Sequence, residues 1–140
     1  MVDALHEAHR VLREGGLLID ARPDSRMPTH VEHLDGRRRH AVGTIATTRP
    51  TLGDDRTSDR AIARVKREGL FRSRRTGGFM HRVAFSGLDE MQAYLEDHLR
   101  LVKRARWTVD AATRRRWRHD AFMVQRPVYF ELLERRPGDQ

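Results

Sequence analysis

The sequence predicts an α/β fold, α+β-like in isolation, with helices and strands alternating along one chain. Three observations carry this prediction. An amphipathic helical stretch runs through two glycines into a short apolar run, Leu17-Leu18-Ile19. Further on, Phe79, His81, Val83 and Phe85 alternate with Met80, Arg82 and Ala84, which is the two-residue period of a strand. The next segment then switches to helical spacing. Leu88, Met91, Leu95, Leu99 and Val102 form its stripe, with Tyr94 beside them.

The first helix is expected from Val2 to Glu14. Leu5, Ala8 and Leu12, flanked by Ala4 and Val11, give it one apolar face. Gly15 and Gly16 are expected to end it, because glycine reaches the left-handed conformation that a helix C-terminus favours. Leu17 to Arg22 then reads as a strand. Its unbroken apolar run predicts cover on both faces. Pro23-Asp24-Ser25-Arg26-Met27-Pro28 is a loop, since two prolines fix the backbone and withhold two donors. A hairpin follows, with Val31 to Leu34 as one arm and Arg37 to Thr47 as the other. Asp35-Gly36 is expected as its turn, both residues at positive φ.

Thr48 to Asp55 reads as a turn-rich connection. A helix capped by Thr57 or Ser58 carries Ala61, Ile62 and Val65 and stops at Gly69. Leu70 and Phe71 form an apolar plug, and Arg72 to Gly78 reads as a basic loop. After the Phe79–Phe85 strand, Ser86 caps the next helix, with Asp89 in the capping-box position. Ala105 to Val109 reads as a short strand. Asp110 caps a helix to about Arg118, with Trp117 facing inward. Phe122 to Val124 reads as extended. Pro127 opens a last strand, Val128 to Glu134, because the first strand residue can do without a donor.

The phrase Arg10-Val11-Leu12-Arg13-Glu14-Gly15-Gly16 resembles one place in the class I S-adenosylmethionine-dependent methyltransferases. There a helix ending in an RVL-x-x-GG phrase leads into the fifth strand of a doubly wound sheet. Glu14 stands where that family commonly has proline. The likeness covers the first 22 residues closely and the remainder in outline. It implies a partial Rossmann-like methyltransferase sheet with an inserted β-hairpin and about four helices. The implied layout is one domain over residues 1–136. Residues 1–22 form the helix-strand motif, 23–78 a hairpin-plus-helix insertion, and 79–136 the strand-helix-strand end. Residues 137–140 are expected as a disordered tail. In that family the final strand is antiparallel to its neighbours.

The resemblance also implies what is missing. The family binds its cofactor with a glycine-rich turn after the first strand and an acid after the second, both ahead of the RVL-x-x-GG phrase. The ten glycines here contain no G-x-G. The likeness therefore implies a C-terminal half with no cofactor-binding residue of its own. S-adenosylmethionine is expected only where the front half is present, and the chain alone is expected to be inactive. Asp20 and Arg22 are the substrate-side candidates, since α/β sheets place their crevice at the C-terminal ends of strands. The plainer reading of Asp20 is a solvated acid paired with Arg22. A strand lacking its usual neighbour leaves an open edge. The Leu17–Ile19 edge is therefore expected to pair with a second copy or another chain.

Composition sets further bounds. The 140 residues carry a formal charge of +8, and all but Lys66 and Lys103 among the 28 basic residues are arginines. Such an excess attracts phosphate polymers, so a nucleic-acid- or acidic-partner-binding module is a second reading. A regulatory or oligomerisation partner is a third. Arg72-Ser73-Arg74-Arg75 and Arg114-Arg115-Arg116-Trp117-Arg118 are the basic clusters, but scattering of arginine over every segment favours a solvated surface. No window approaches the ~18 apolar residues of a membrane span. The absence of cysteine excludes disulfides and thiolate chemistry, and a cytoplasmic setting is expected. His6 with His9, and His30 with His33 and His40, lack the converging third or fourth ligand that zinc requires, so no metal is expected.

Overall fold

The computed structural model describes residues 1–47, 49–98 and 105–137. Four helices and six strands alternate: α1 (Val2–Val11), β1 (Leu17–Pro23), β2 (Thr29–Asp35), β3 (Arg38–Ile45), α2 (Arg49–Arg67), β4 (Phe71–Phe85), α3 (Leu88–His98), β5 (Arg106–Trp107), α4 (Ala111–Arg116) and β6 (Ala121–Arg135). Leu99 and Val102, expected on the stripe of α3, lie outside the described residues, as do Thr48 and residues 138–140.

The hydrogen-bonded order is β1-β6-β2-β3-β5, with β4 also paired to β6. The ladders β1–β6, β2–β6, β2–β3 and β3–β5 are antiparallel. So is β4–β6: Arg72 meets Glu134, Gly77 meets Phe130 and Gly78 meets Val128, one number rising as the other falls. A Rossmann sheet is mostly parallel. The α/β class and the helix number therefore stand, and the expected Rossmann-like sheet is replaced by an antiparallel one.

The chain divides into two compact units, with β4 and β6 each contributing to both. The first holds residues 1–23, 52–79 and 128–140. Its core is Leu5 of α1, Ala61, Ile62 and Val65 of α2, Phe71 and Leu133, with Val2, Ala8, Leu12 and Leu18 against it. The second holds residues 24–51 and 80–127. Its core is Val31, Val42, Ile45, Phe85, Leu88, Met91, Phe122 and Val124.

Several local expectations are corrected. Helix α1 stops at Val11, and Leu12 is already extended. The glycines shape the turn that follows: Gly15 takes φ 70°, and Gly16 donates to the Arg13 carbonyl at 2.8 Å. A Cβ on Gly16 would lie 2.7 Å from that oxygen, so the approach requires glycine. The hairpin turn sits one residue later than expected. Asp35 pairs with Arg38, and only Gly36 has positive φ. Glycine first in a two-residue turn is the type II′ preference. Helix α2 starts at Arg49, ahead of Thr57 and Ser58. Thr57 instead bonds its hydroxyl back to the Gly53 carbonyl at 3.1 Å, as hydroxyls inside helices do. At α3, Ser86 does meet a carboxylate, but it is that of Glu90, which accepts from both its N–H and its hydroxyl. Asp89 pairs with Arg118. Asp110 caps α4 as expected, accepting from the Thr113 N–H at 2.7 Å.

Residues 72–78 are strand, not loop, because β6 is long enough to pair with them. Pro127 lies inside β6 rather than at its start. The β1 ladder takes residues 128–134 and the β2 ladder 121–125, so the missing donor falls in the gap. The Pro127 carbonyl there accepts from the Asp24 N–H at 2.8 Å.

Candidate functional site

In the first unit the two faces of the sheet differ in chemistry. Leu18, Asp20 and Arg22 alternate along β1 with Leu17, Ile19 and Ala21. The first set shares its face with Leu18 and Leu133 of the core, beneath α1 and α2. Across the ladder Asp20 faces Glu131 and Arg22 faces Tyr129.

Asp20 and Arg22, the sequence candidates, are brought together. Arg22 Nε donates to Asp20 Oδ2 at 2.9 Å, and its Nη2 donates to Asp59 Oδ1 of α2 at 2.9 Å. Its Nη1 reaches the Asp55 carbonyl at 3.3 Å. Beside them Lys66 of α2 donates to Glu131 at 2.7 Å, with Glu131 only 5% exposed. Burial, followed by the Glu131 charge, pushes the Tyr129 phenol above its ordinary range. Each of the three carboxylates here is committed to a cation. A committed carboxylate is a poor general base, and a phenol with a raised pKa is a poor nucleophile. The cluster clasps α2 onto β1 and β6.

The opposite face is uncovered. Leu17 is 53%, Ile19 66% and Phe79 52% exposed. The prediction of cover on both faces of Leu17–Ile19 is therefore overturned. Both helices of this unit pack on the other face, and among the described strands β1 pairs only with β6. Native edges are blunted by charge, bulges or proline. On β1 the proline, Pro23, sits at the last position, and the outward row is Leu17, Ile19 and Ala21.

A cavity of about 500 Å³ opens nearby, lined by Glu14, Gly15, Arg72, Glu134 and Arg135 among others. Its charges are largely paired. Arg72 donates to Glu134 at 2.6 Å, and Arg135 donates to the Leu12 carbonyl at 2.7 Å. Arg72 holds the Glu134 carboxyl below the usual carboxylate range.

The histidines do not converge. Among the described residues no group of three or more His, Cys, Asp or Glu is placed to hold a metal ion. His6 pairs with Glu68 at 2.7 Å, and His9 meets the Phe71 ring edge-on at 5.5 Å. Sequence reasoning missed the one elaborate setting, around His33 in the second unit. This ring is 4% exposed, bonds Asp120 at 2.8 Å, and stacks on Trp117 at 4.1 Å with 8° between planes. The signal was its alternation with Thr29 and Val31, which puts it on the inner face of β2. Trp117 faces inward as expected, while Arg115, Arg116 and Arg118 around it are exposed.

Among the described residues no helix is long and apolar enough to cross a membrane. No protein-family model matches the chain, and no curated protein or solved structure matches it.

Proposed function

We propose that this chain is the rear part of a class I methyltransferase-like sheet, and that it works only when a front part completes it. The observation that carries this reading is the open β1 edge with its outward row of Leu17, Ile19 and Ala21 exposed. A doubly wound sheet buries both faces and pairs its central strands on both sides. Burying two such aliphatic side chains contributes roughly 1.5–3 kcal/mol each.

Two further observations support it. The Gly15-Gly16 turn lies between α1 and β1, where the resembled phrase has it. Strand β6 lies between β1 and β4 and is antiparallel to both, as that family's closing strand is to its neighbours. The antiparallel ladders of β1 and β4 with β6 suit the rear of such a sheet, whose parallel strands would come from the front part.

The residues present do not fit an adenosyl cofactor. A ribose needs an uncommitted carboxylate at a strand end, whereas Asp20 lies in the middle of β1 and already accepts from Arg22. No methyl-transfer step is assigned to this chain. Asp20 and Arg22 hold the floor of the completed site by fixing α2 to β1.

Affinity purification of the tagged chain followed by cofactor calorimetry tests the reading. The expected result is a partner carrying a glycine-rich turn, bound through β1, whose complex with this chain binds S-adenosylmethionine. Ile19→Lys removes that partner. Cofactor heat from the chain alone overturns the reading. So does a monomer that captures no such partner, or a dimer of twice 16.4 kDa that pairs β1 with itself.

A further inference from the structure

Strand β4 contains four arginines, one histidine and no carboxylate in fifteen residues, and most of its side chains are exposed. It is hydrogen-bonded to β6 alone among the described strands. Within the first unit, Arg72, Arg74, Arg75 and Phe79 lie along one stretch of it. Glu134 accepts from Arg72 at 2.6 Å and lies 3.0 Å from Arg74. One carboxylate thus orders two guanidiniums and neutralises one of them. Arg75 is exposed and has no carboxylate partner among the described residues. The stretch keeps a surplus of positive charge with part of its side-chain entropy already lost.

Its other end has a different chemistry. Phe79 is half in water, and the two residues before it are glycines. A Cβ on Gly77 would lie 2.9 Å from two carbons of the Phe130 ring, so that ring occupies the space over Gly77. Phe79 lies two residues from Gly77 and so shares the face of the Phe130 ring, and Phe130 lies four residues from Glu134 on β6, which puts the Arg72–Glu134–Arg74 cluster on that face as well. Gly78 leaves bare backbone between the rings and the arginines. At about 3.3 Å per residue the stretch from Arg72 to Phe79 spans roughly 23 Å.

We propose that residues 72–79 of β4 form a binding strip for single-stranded nucleic acid. The arginines take the phosphates and Phe79 is the stacking platform for a base. Single strands are bound by this pairing of a cationic track with exposed aromatic faces. A duplex offers phosphates but keeps its bases stacked inside. An acidic peptide needs the arginines alone and gains nothing from a bare ring. The strip lies across β6 from the open β1 edge, and its test uses the chain alone, without the partner that the proposed function requires.

Fluorescence anisotropy of the full chain with labelled 20-mers of oligo-dT and oligo-U tests the proposal, with a duplex of equal length and poly-glutamate as controls. The single strands are expected to bind more tightly than the duplex. Phe79→Ala weakens single-strand binding about tenfold and leaves the duplex unchanged, while Phe79→Trp retains binding. The double variant R74A/R75A flattens the salt dependence by about 0.7 in slope per lost phosphate contact. These positions are exposed, and an unchanged far-ultraviolet spectrum verifies each variant's fold. Absence of single-strand binding at low salt overturns the proposal. So does equal competition by poly-glutamate with no effect of Phe79→Ala, which marks general polyanion attraction.

Discussion

The two units are built from the same two long strands, yet they finish differently. In the second, Val31, Phe122 and Met91 are fully enclosed, and Trp107, Val109 and Trp117 pack around them. In the first, α1 and α2 close one face while Leu17, Ile19 and Phe79 stand in water on the other. The second unit leaves Met27 exposed in a loop, whereas the first leaves Leu17, Ile19 and Phe79 exposed on one face of its sheet. Exposed apolar rows on an unpaired edge mark surfaces that another chain uses. A functional reading of this protein therefore rests on its less complete unit.

The largest test of this contrast is a cavity in each core. Phe122→Ala in the second unit and Phe71→Ala in the first should each cost about 3–5 kcal/mol, read from the denaturant midpoint. Equal losses would show that both cores are fully formed without a partner. A negligible loss at Phe71 would show that the first core is not.

The clasp beneath α2 is the next test. Lys66→Met leaves the buried Glu131 carboxylate without its cation. The expected cost is about 2 kcal/mol, below the 3–5 of a fully buried pair because Lys66 keeps access to water. The double change with Glu131→Gln should recover most of it. In the second unit, Asp110→Ala removes the cap of α4 and should cost about 1 kcal/mol.

On the uncovered face, Ile19→Lys should change monomer stability by less than about 0.5 kcal/mol, while it alters association seen by light scattering. The same change at Val31, which is fully buried, should unfold the second unit. A large stability loss at Ile19 would mean that its face is covered in the isolated chain.

The smallest effect is a titration. Arg72, with further help from Arg74, keeps the folded-state pKa of Glu134 low. A depressed carboxylate contributes stability above its unfolded pKa, near 4.3, and loses it as pH falls through the lower folded value. Carboxyl shifts followed by NMR should put the Glu134 midpoint below 4.3, and Arg72→Ala should raise it.

Much of the fold was legible locally. The α1 stripe, the glycine turn, the hairpin, the α4 cap and the inward Trp117 follow from spacing and from single residues with one good conformation. The pairing of Asp20 with Arg22 was legible as well, since the two sit two apart on one strand face. The setting of His33 was not. Its stacking partner and its carboxylate come from residues 117 and 120, far along the chain.

By itself the sequence determined the apolar stripe of α1, the Gly15-Gly16 turn and the Asp110 cap of α4, because those depend on neighbours within a few positions, while it misplaced the start of α2 and the hairpin turn. Only the tertiary structure decided that residues 72–78 extend as a strand, that Pro127 sits in a ladder gap, and that Leu17 and Ile19 remain in water. An apolar run records a demand for cover. Whether the demand is met depends on elements distant in the chain or outside it, and no local pattern contains them.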